Sequence, residues 1–183
     1  MLVAGISGSL RQGSYNTALL LAAAAELPAP VHFARWRDLA LVPAYDEERD
    51  GPDDELPAVS ELRRTLAAAE AVLIATPEYN GSVPGALKNA LDWASRPYPD
   101  NCLRGKPVAV VGASTGPFGA VWAQAELRKV LRTMGAAVLE SGLSVASAHA
   151  AFTPDGRLRD PMLAAALRSL VDELVERTVR RAA

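Results

Sequence analysis

The sequence reads as an α/β protein, a three-layer sandwich with a five-stranded parallel sheet flanked by helices. Three observations carry this reading. Short apolar runs alternate with longer helical patterns along the chain. The runs are apolar almost throughout, as strands covered on both faces are, rather than at every second residue. Each run is followed by turn residues or by a new periodic segment.

The first run, 1–6, precedes a Gly/Ser-rich segment and a helical pattern over 17–25. The second, 31–34, leads into 39–57, where Pro43, Gly51, Pro52 and Pro57 stand among Asp46, Glu47, Glu48, Asp50, Asp53 and Asp54. That stretch has no period and reads as a solvated acidic loop, either a surface turn or a substrate lid, since long loops in compact domains are of both kinds. A helix over 58–69 and a run at 71–75 follow. Ser82 and Pro84 fit the start of a helix over 83–94, whose apolar face is Val83, Leu87, Ala90, Leu91 and Ala94. Next come a run at 108–112, a helix over 118–134 and a weaker run at 136–139. The last helix, 161–181, spaces Leu163, Leu167, Leu170, Leu174 and Val175 three or four apart and places Arg177, Arg180 and Arg181 near its negative end. Parallel neighbours need right-handed crossovers, and a ligand then belongs at the carboxyl ends of the strands.

A length of 183 residues suits one domain spanning 1–183, below the ~250 to 300 residues at which single cores stop growing. Cys102 has no partner for an internal disulfide, and with His32 and His149 alone it builds neither a zinc site nor a CxxC redox pair, so no metal is expected and the cytoplasm fits best. Neither histidine receives a role. A net charge of -2 offers no basic field for nucleic acid or an anionic membrane. The apolar start is broken by Arg11 and Gln12, and the Ala-rich 19–25 is short, so neither a signal peptide nor a spanning helix is expected.

The most informative stretch is Gly5-Ile6-Ser7-Gly8-Ser9-Leu10-Arg11-Gln12-Gly13-Ser14-Tyr15-Asn16, immediately before a helix. Gly8 and Gly13 permit sharp turns, Ser9, Ser14 and Asn16 supply neutral hydrogen bonds, Arg11 supplies a fixed charge, and the helix start adds partial positive charge. Together these suit a phosphate. Gly8-x-x-x-x-Gly13 continues with Ser14 and Tyr15, so the P-loop lysine is missing, and Gly5-x-x-Gly8 does not match the dinucleotide fingerprint. A serine-rich loop without magnesium ligands suits a terminal monoester phosphate better than a triphosphate. The alternative is a capped turn, with Ser14 or Asn16 as helix cap and Arg11 solvated.

After the third run the chain reads Thr76-Pro77-Glu78-Tyr79-Asn80-Gly81-Ser82-Val83-Pro84-Gly85-Ala86-Leu87-Lys88-Asn89-Ala90-Leu91-Asp92-Trp93. Backbone groups of this loop at a strand's carboxyl end suit the edge of a planar heteroaromatic ring. Paired with the Gly-Ser-Leu-Arg-x-x-Ser-x-Asn loop, it closely resembles the NAD(P)H-dependent FMN reductases of the flavodoxin-like fold, which include chromate- and quinone-reducing enzymes and some azoreductases. The similarity extends at least to the helix near Gly119.

That resemblance implies FMN as cofactor and NADPH or NADH as co-substrate. It assigns Ser9, Arg11, Ser14 and Asn16 to the flavin phosphate and ribityl chain, and Pro77, Glu78, Tyr79 and Asn80 to the isoalloxazine ring. A further flavin turn falls at Ala113, Ser114, Thr115 and Gly116. No catalytic side chain is required: nicotinamide delivers hydride to the flavin, leaves, and is replaced by a quinone, flavin, azo compound or metal oxyanion, in a ping-pong scheme. Trp93 reads as a core or interface residue, and Lys88 and Asn89 as structural or surface ones. Gly81 replaces a larger residue common in the family and would widen the substrate pocket. A homodimer near the helix carrying Lys88 to Trp93 is expected. A homotetramer is less well supported, because Trp122 and Ala125 replace positions used in tetramer contacts. Two other readings stay open, a flavodoxin-like electron carrier, which a charge of -2 supports little, and a non-catalytic flavin- or nucleotide-binding module.

Overall fold

Every apolar run forms a strand; the three central strands are buried along nearly their whole length, and the two edge strands are partly exposed. A computed structural model describes residues 1–51 and 56–182. Its strands are β1 (Leu2–Ser7), β2 (His32–Trp36), β3 (Ala71–Thr76), β4 (Pro107–Ala113) and β5 (Ala137–Val145). All pair in parallel, in the flavodoxin-like order β2-β1-β3-β4-β5. Successive side chains point to opposite faces. Ala4, Ile6, Val72, Ile74, Val108 and Val110 therefore enter one core, and Val3, Leu73, Ala75, Ala109 and Val111 enter the other.

Helices α1 (Tyr15–Ala25) and α6 (Pro161–Ala182), with the single turn α5 (Ala148–Ala151), belong to the second core through residues such as Leu19, Leu20, Leu167, Leu170 and Leu174. Helices α2 (Pro57–Ala68), α3 (Gly85–Ala94) and α4 (Val121–Thr133) cover the first through Leu62, Leu66, Leu87, Leu91, Leu127 and Leu131. The expected three-layer sandwich is present. Val171, rather than Val175, completes the buried row of α6. No helix among the described residues is long and apolar enough to cross a membrane.

Three boundaries depart from expectation for physical reasons. Strand β5 runs on past 139 to Val145, through Glu140, Ser141, Gly142 and Ser144. It is the sheet's edge, and its pairing with β4 is interrupted between Val108 and Val110, so its outer positions tolerate polar residues. Helix α4 starts at Val121 because Gly119 and Ala120 have φ of 58° and 63°, outside any right-handed helix. Helix α3 starts behind Pro84, and Ser82 is not its cap.

The 39–57 stretch is solvated only in part. Its Pro43 carbonyl accepts from Asn89 Nδ2 at 2.7 Å and Trp93 Nε1 at 2.9 Å. Tyr45 meets the Trp93 ring edge-on at 4.9 Å, and its backbone N–H donates to Asn89 Oδ1 at 2.8 Å. Asn89 is thus a bracket, and Trp93, fully buried, is a core residue. Pro52, Asp53 and Asp54 lie outside the described residues.

Candidate functional site

The chain leaves β1 toward β2 and returns to place β3 on β1's other side, so the crossovers part company above β1 and β3. In such sheets that reversal opens a crevice at the carboxyl ends. A cavity of about 390 Å³ lies there. Its walls are Ser9, Arg11, Ser14, Tyr15 and Asn16 after β1, Pro77, Glu78 and Tyr79 after β3, and Ala113, Ser114 and Thr115 after β4.

The first loop is held against its neighbours. The Gly8 N–H donates to the Ala75 carbonyl at 2.8 Å. A β-carbon on Gly8 would fall 2.7 Å from Leu87 Cδ2, so this glycine serves a close approach to α3. Ser14 Oγ accepts from the Asn16 N–H at 3.2 Å and caps α1. Ser9 Oγ accepts from the Arg11 N–H at 3.3 Å. The buried Asn16 amide makes two 2.9 Å bonds with Ala113, donating to its carbonyl and accepting from its N–H. Asn16 is therefore a strut between the first and fourth strand-end loops as well as a wall of the cavity.

Arg11 has no carboxylate partner among the described residues. Its guanidinium stands 5.1 Å over the Tyr15 ring and makes one long bond, 3.4 Å, to the Gln12 carbonyl. An exposed fixed cation thus stands at the rim of a hydroxyl-lined hollow.

The loop after β3 is a tight turn. Tyr79 and Ser82 exchange two backbone bonds of 3.1 Å. Asn80 and Gly81 between them have φ of 53° and 73°. Positive φ at both central positions is what an Asn-Gly turn provides. A β-carbon on Gly81 would meet nothing within 4 Å, so backbone conformation rather than crowding asks for glycine here. Glu78 turns toward α4, where its carboxylate accepts from the Trp122 and Ala123 N–H groups at 3.0 and 3.1 Å. Ala120 offers α4 no side-chain cap, so Glu78 replaces it. The Ser82 hydroxyl donates to Glu126 on the same helix. Tyr79 is half exposed at the cavity's edge.

After β4, Ser114 N–H donates to the Val145 carbonyl at 3.0 Å and Ser114 Oγ accepts from Gly116 N–H at 3.1 Å. Ala148 and Ser147 at the start of α5 bond the Ser114 and Gly116 carbonyls. Of the residues expected from sequence, Asn80 and Gly116 stand outside the cavity wall, the first at the tip of its turn and the second braced on Ser147. Tyr15 is a wall residue that sequence reasoning missed. Its position between the cap Ser14 and Asn16 was the available signal.

Chemically, the cavity joins a hydroxyl-and-guanidinium side to a side walled by Pro77 and Tyr79. Among the described residues there is no cluster of three or more His, Cys, Asp or Glu to hold a metal. His32, His149 and Cys102 lie outside this wall. A larger hollow of about 820 Å³ between α1 and α6 contains Glu26, Arg168, Asp155 and Arg157, but these charges pair with one another.

The sequence profile described as NADPH-dependent FMN reductase matches residues 1–150. A NAD(P)H-dependent FMN reductase of Pseudomonas aeruginosa is 45% identical over 159 residues, 86% of this chain and 84% of that protein. A quinone reductase of Escherichia coli K12 is 38% identical over 137 residues, 75% of this chain and 72% of that one. Among solved structures, a flavoenzyme NAD(P)H:(acceptor) oxidoreductase of Paracoccus denitrificans superposes with a TM-score of 0.87 at 35% identity, covering 98% of this chain and 97% of its own.

Proposed function

Because the chain belongs to the NADPH-dependent FMN reductase family, whose members are NAD(P)H-driven flavin oxidoreductases, we propose that the cavity at the β1/β3 reversal is its FMN site. The observation that carries this is the exposed Arg11 guanidinium, without a carboxylate partner among the described residues, in one cavity wall with Ser9, Ser14, Pro77 and Tyr79. The donor set fits the cofactor: hydroxyls, a guanidinium and a helix start suit a phosphate monoester, and an apolar and aromatic wall suits a flat ring.

Ser9, Arg11 and Ser14 would hold the phosphate, and Asn16, tied to Ala113, would fix the spacing between phosphate and ribityl contacts. Pro77 and Tyr79 would flank the ring, Asn80 would contribute backbone at the turn, and Glu78 would keep that loop seated on α4. Ala113, Ser114, Thr115 and Gly116 would close the remaining side. When bound, FMN supplies the redox chemistry, taking two electrons from a reduced nicotinamide and passing them to an acceptor. The chain's part is to bind, to orient and to leave one side open for both substrates. No acid–base pair is needed.

The acceptor class we favour is a quinone, because the Escherichia coli relative is a quinone reductase and one from a Burkholderia species is a 2-hydroxy-1,4-benzoquinone reductase. Flavins, azo compounds and metal oxyanions are the other candidates. Residues 1–183 form one folding unit in this proposal. Two copies meet about α3, whose Lys88 and Asp92 pair with each other beside Glu126 and Lys129 of α4, a face of both charge signs that a self-complementary contact can use. The test is steady-state NADPH and NADH oxidation by FMN-loaded protein with benzoquinone and no partner protein. Turnover with parallel double-reciprocal lines supports the reading. Intersecting lines overturn the ping-pong order, and flavin binding without turnover points to an electron carrier or a binding module.

A further inference from the structure

A column of side chains leads from the proposed phosphate subsite to the segment that follows α5. Arg11 Cζ lies 5.1 Å over the Tyr15 ring. Tyr15 stacks on Phe152 with centroids 6.3 Å apart and planes inclined by 5°. The Phe152 backbone is held by an antiparallel bridge to Leu158 and by the Arg159 guanidinium donating to its carbonyl at 2.9 Å, and its side chain, like that of Tyr15, packs against the second core. It stands beyond residues 1–150, the segment that the family profile matches.

An arginine that clamps an anion loses rotamer freedom, and prior ordering lowers that loss. A ring face attracts a guanidinium electrostatically, so a ring whose own plane is fixed orders the cation above it. We infer that Tyr15, backed by Phe152, is a positioning residue that holds Arg11 ready for the phosphate of the flavin. This rests on the FMN reading above. Tyr15 lines the cavity beside Arg11, and if it acts through Arg11 its influence reaches only ligands that carry the phosphate. A tyrosine that merely filled space would matter equally for FMN and for riboflavin.

The experiment titrates the apoprotein with FMN and with riboflavin, following quenching of flavin fluorescence. It compares wild type, Tyr15→Phe, Tyr15→Leu, Phe152→Leu, Arg11→Ala and the Tyr15→Leu/Arg11→Ala double variant. Tyr15→Leu is expected to weaken FMN about 3- to 10-fold, the scale of a partly exposed cation–π contact, and to leave riboflavin unchanged. Tyr15→Phe keeps the ring and should bind FMN as wild type does. In the Arg11→Ala background, Tyr15→Leu should have no further effect, because its route is gone. Phe152→Leu should show a smaller loss with the same preference for FMN, and serves in place of Tyr15→Leu if that variant fails to fold. Equal losses for the two flavins, or a Tyr15→Leu effect that persists without Arg11, overturn the inference while the FMN site stands. Wild type that binds neither flavin overturns the FMN reading and this one with it.

Discussion

Arg11 bears on whether the first loop is an anion site or only a capped turn. Ser14 does cap α1, but capping leaves the guanidinium over Tyr15 without a carboxylate. Arg11→Ala is expected to weaken FMN by about 1.5 to 3 kcal/mol, the scale of a charged hydrogen bond, as read by equilibrium titration. Unchanged affinity would move the phosphate elsewhere. Cys102 lies apart from this chemistry. Burial pushes its thiol up, with Lys106 opposing, so it stays neutral at physiological pH. Iodoacetamide should therefore label native protein near pH 7 much more slowly than unfolded protein; equal rates would contradict this. That Ser9, Arg11, Ser14 and Tyr79 line one hollow was readable in the sequence because each belongs to a short local motif. The Asn16 bond to Ala113 spans 97 residues and the Tyr15 stack on Phe152 is longer still, so neither leaves a local pattern.

Helix α4 shows how an element can depend on a distant loop. Its preceding residue Ala120 is left-handed and has no capping oxygen, and Glu78 supplies the acceptor from the loop after the neighbouring strand β3. Glu78→Ala should cost about 1 kcal/mol, the usual worth of an N-cap, measured by denaturant unfolding, with Glu78→Gln intermediate because both N–H groups converge on one oxygen, which the amide keeps, while the negative charge at the helix start is lost. No change in midpoint would remove the capping role. Strands β1, β3 and β4 were legible because both faces are apolar. The far half of β5 was not, since Glu140 and Ser141 sit at an edge where polar groups meet Arg132 and Glu173. The start of α4 was misplaced because left-handed backbone at Ala120 cannot be told from an alanine in a helix, and 39–57 because its anchors, Asn89 and Trp93, are remote in sequence.

Across the protein, the strand order places the three loops at one end, and the two cores hold them there. Leu167, Leu170, Val171 and Leu174 of α6 close the second core although they lie beyond the segment matched by the family profile. A chain cut after residue 150 would uncover the part of that face that α6 covers over β4 and β5, and fully burying such side chains is worth about 1.5 to 3 kcal/mol each. The truncated protein should fail to unfold cooperatively and should not retain FMN; a cooperative, flavin-retaining 1–150 fragment would contradict one folding unit. The scarcity of histidine and cysteine agrees with an enzyme whose redox group is a bound cofactor. The direct measurement is anaerobic titration of FMN-loaded, gel-filtered protein with NADPH and then NADH. Stoichiometric flavin should be retained and its visible band should bleach with at least one nucleotide. Loss of flavin on the column, or a band that neither nucleotide bleaches, would contradict the account.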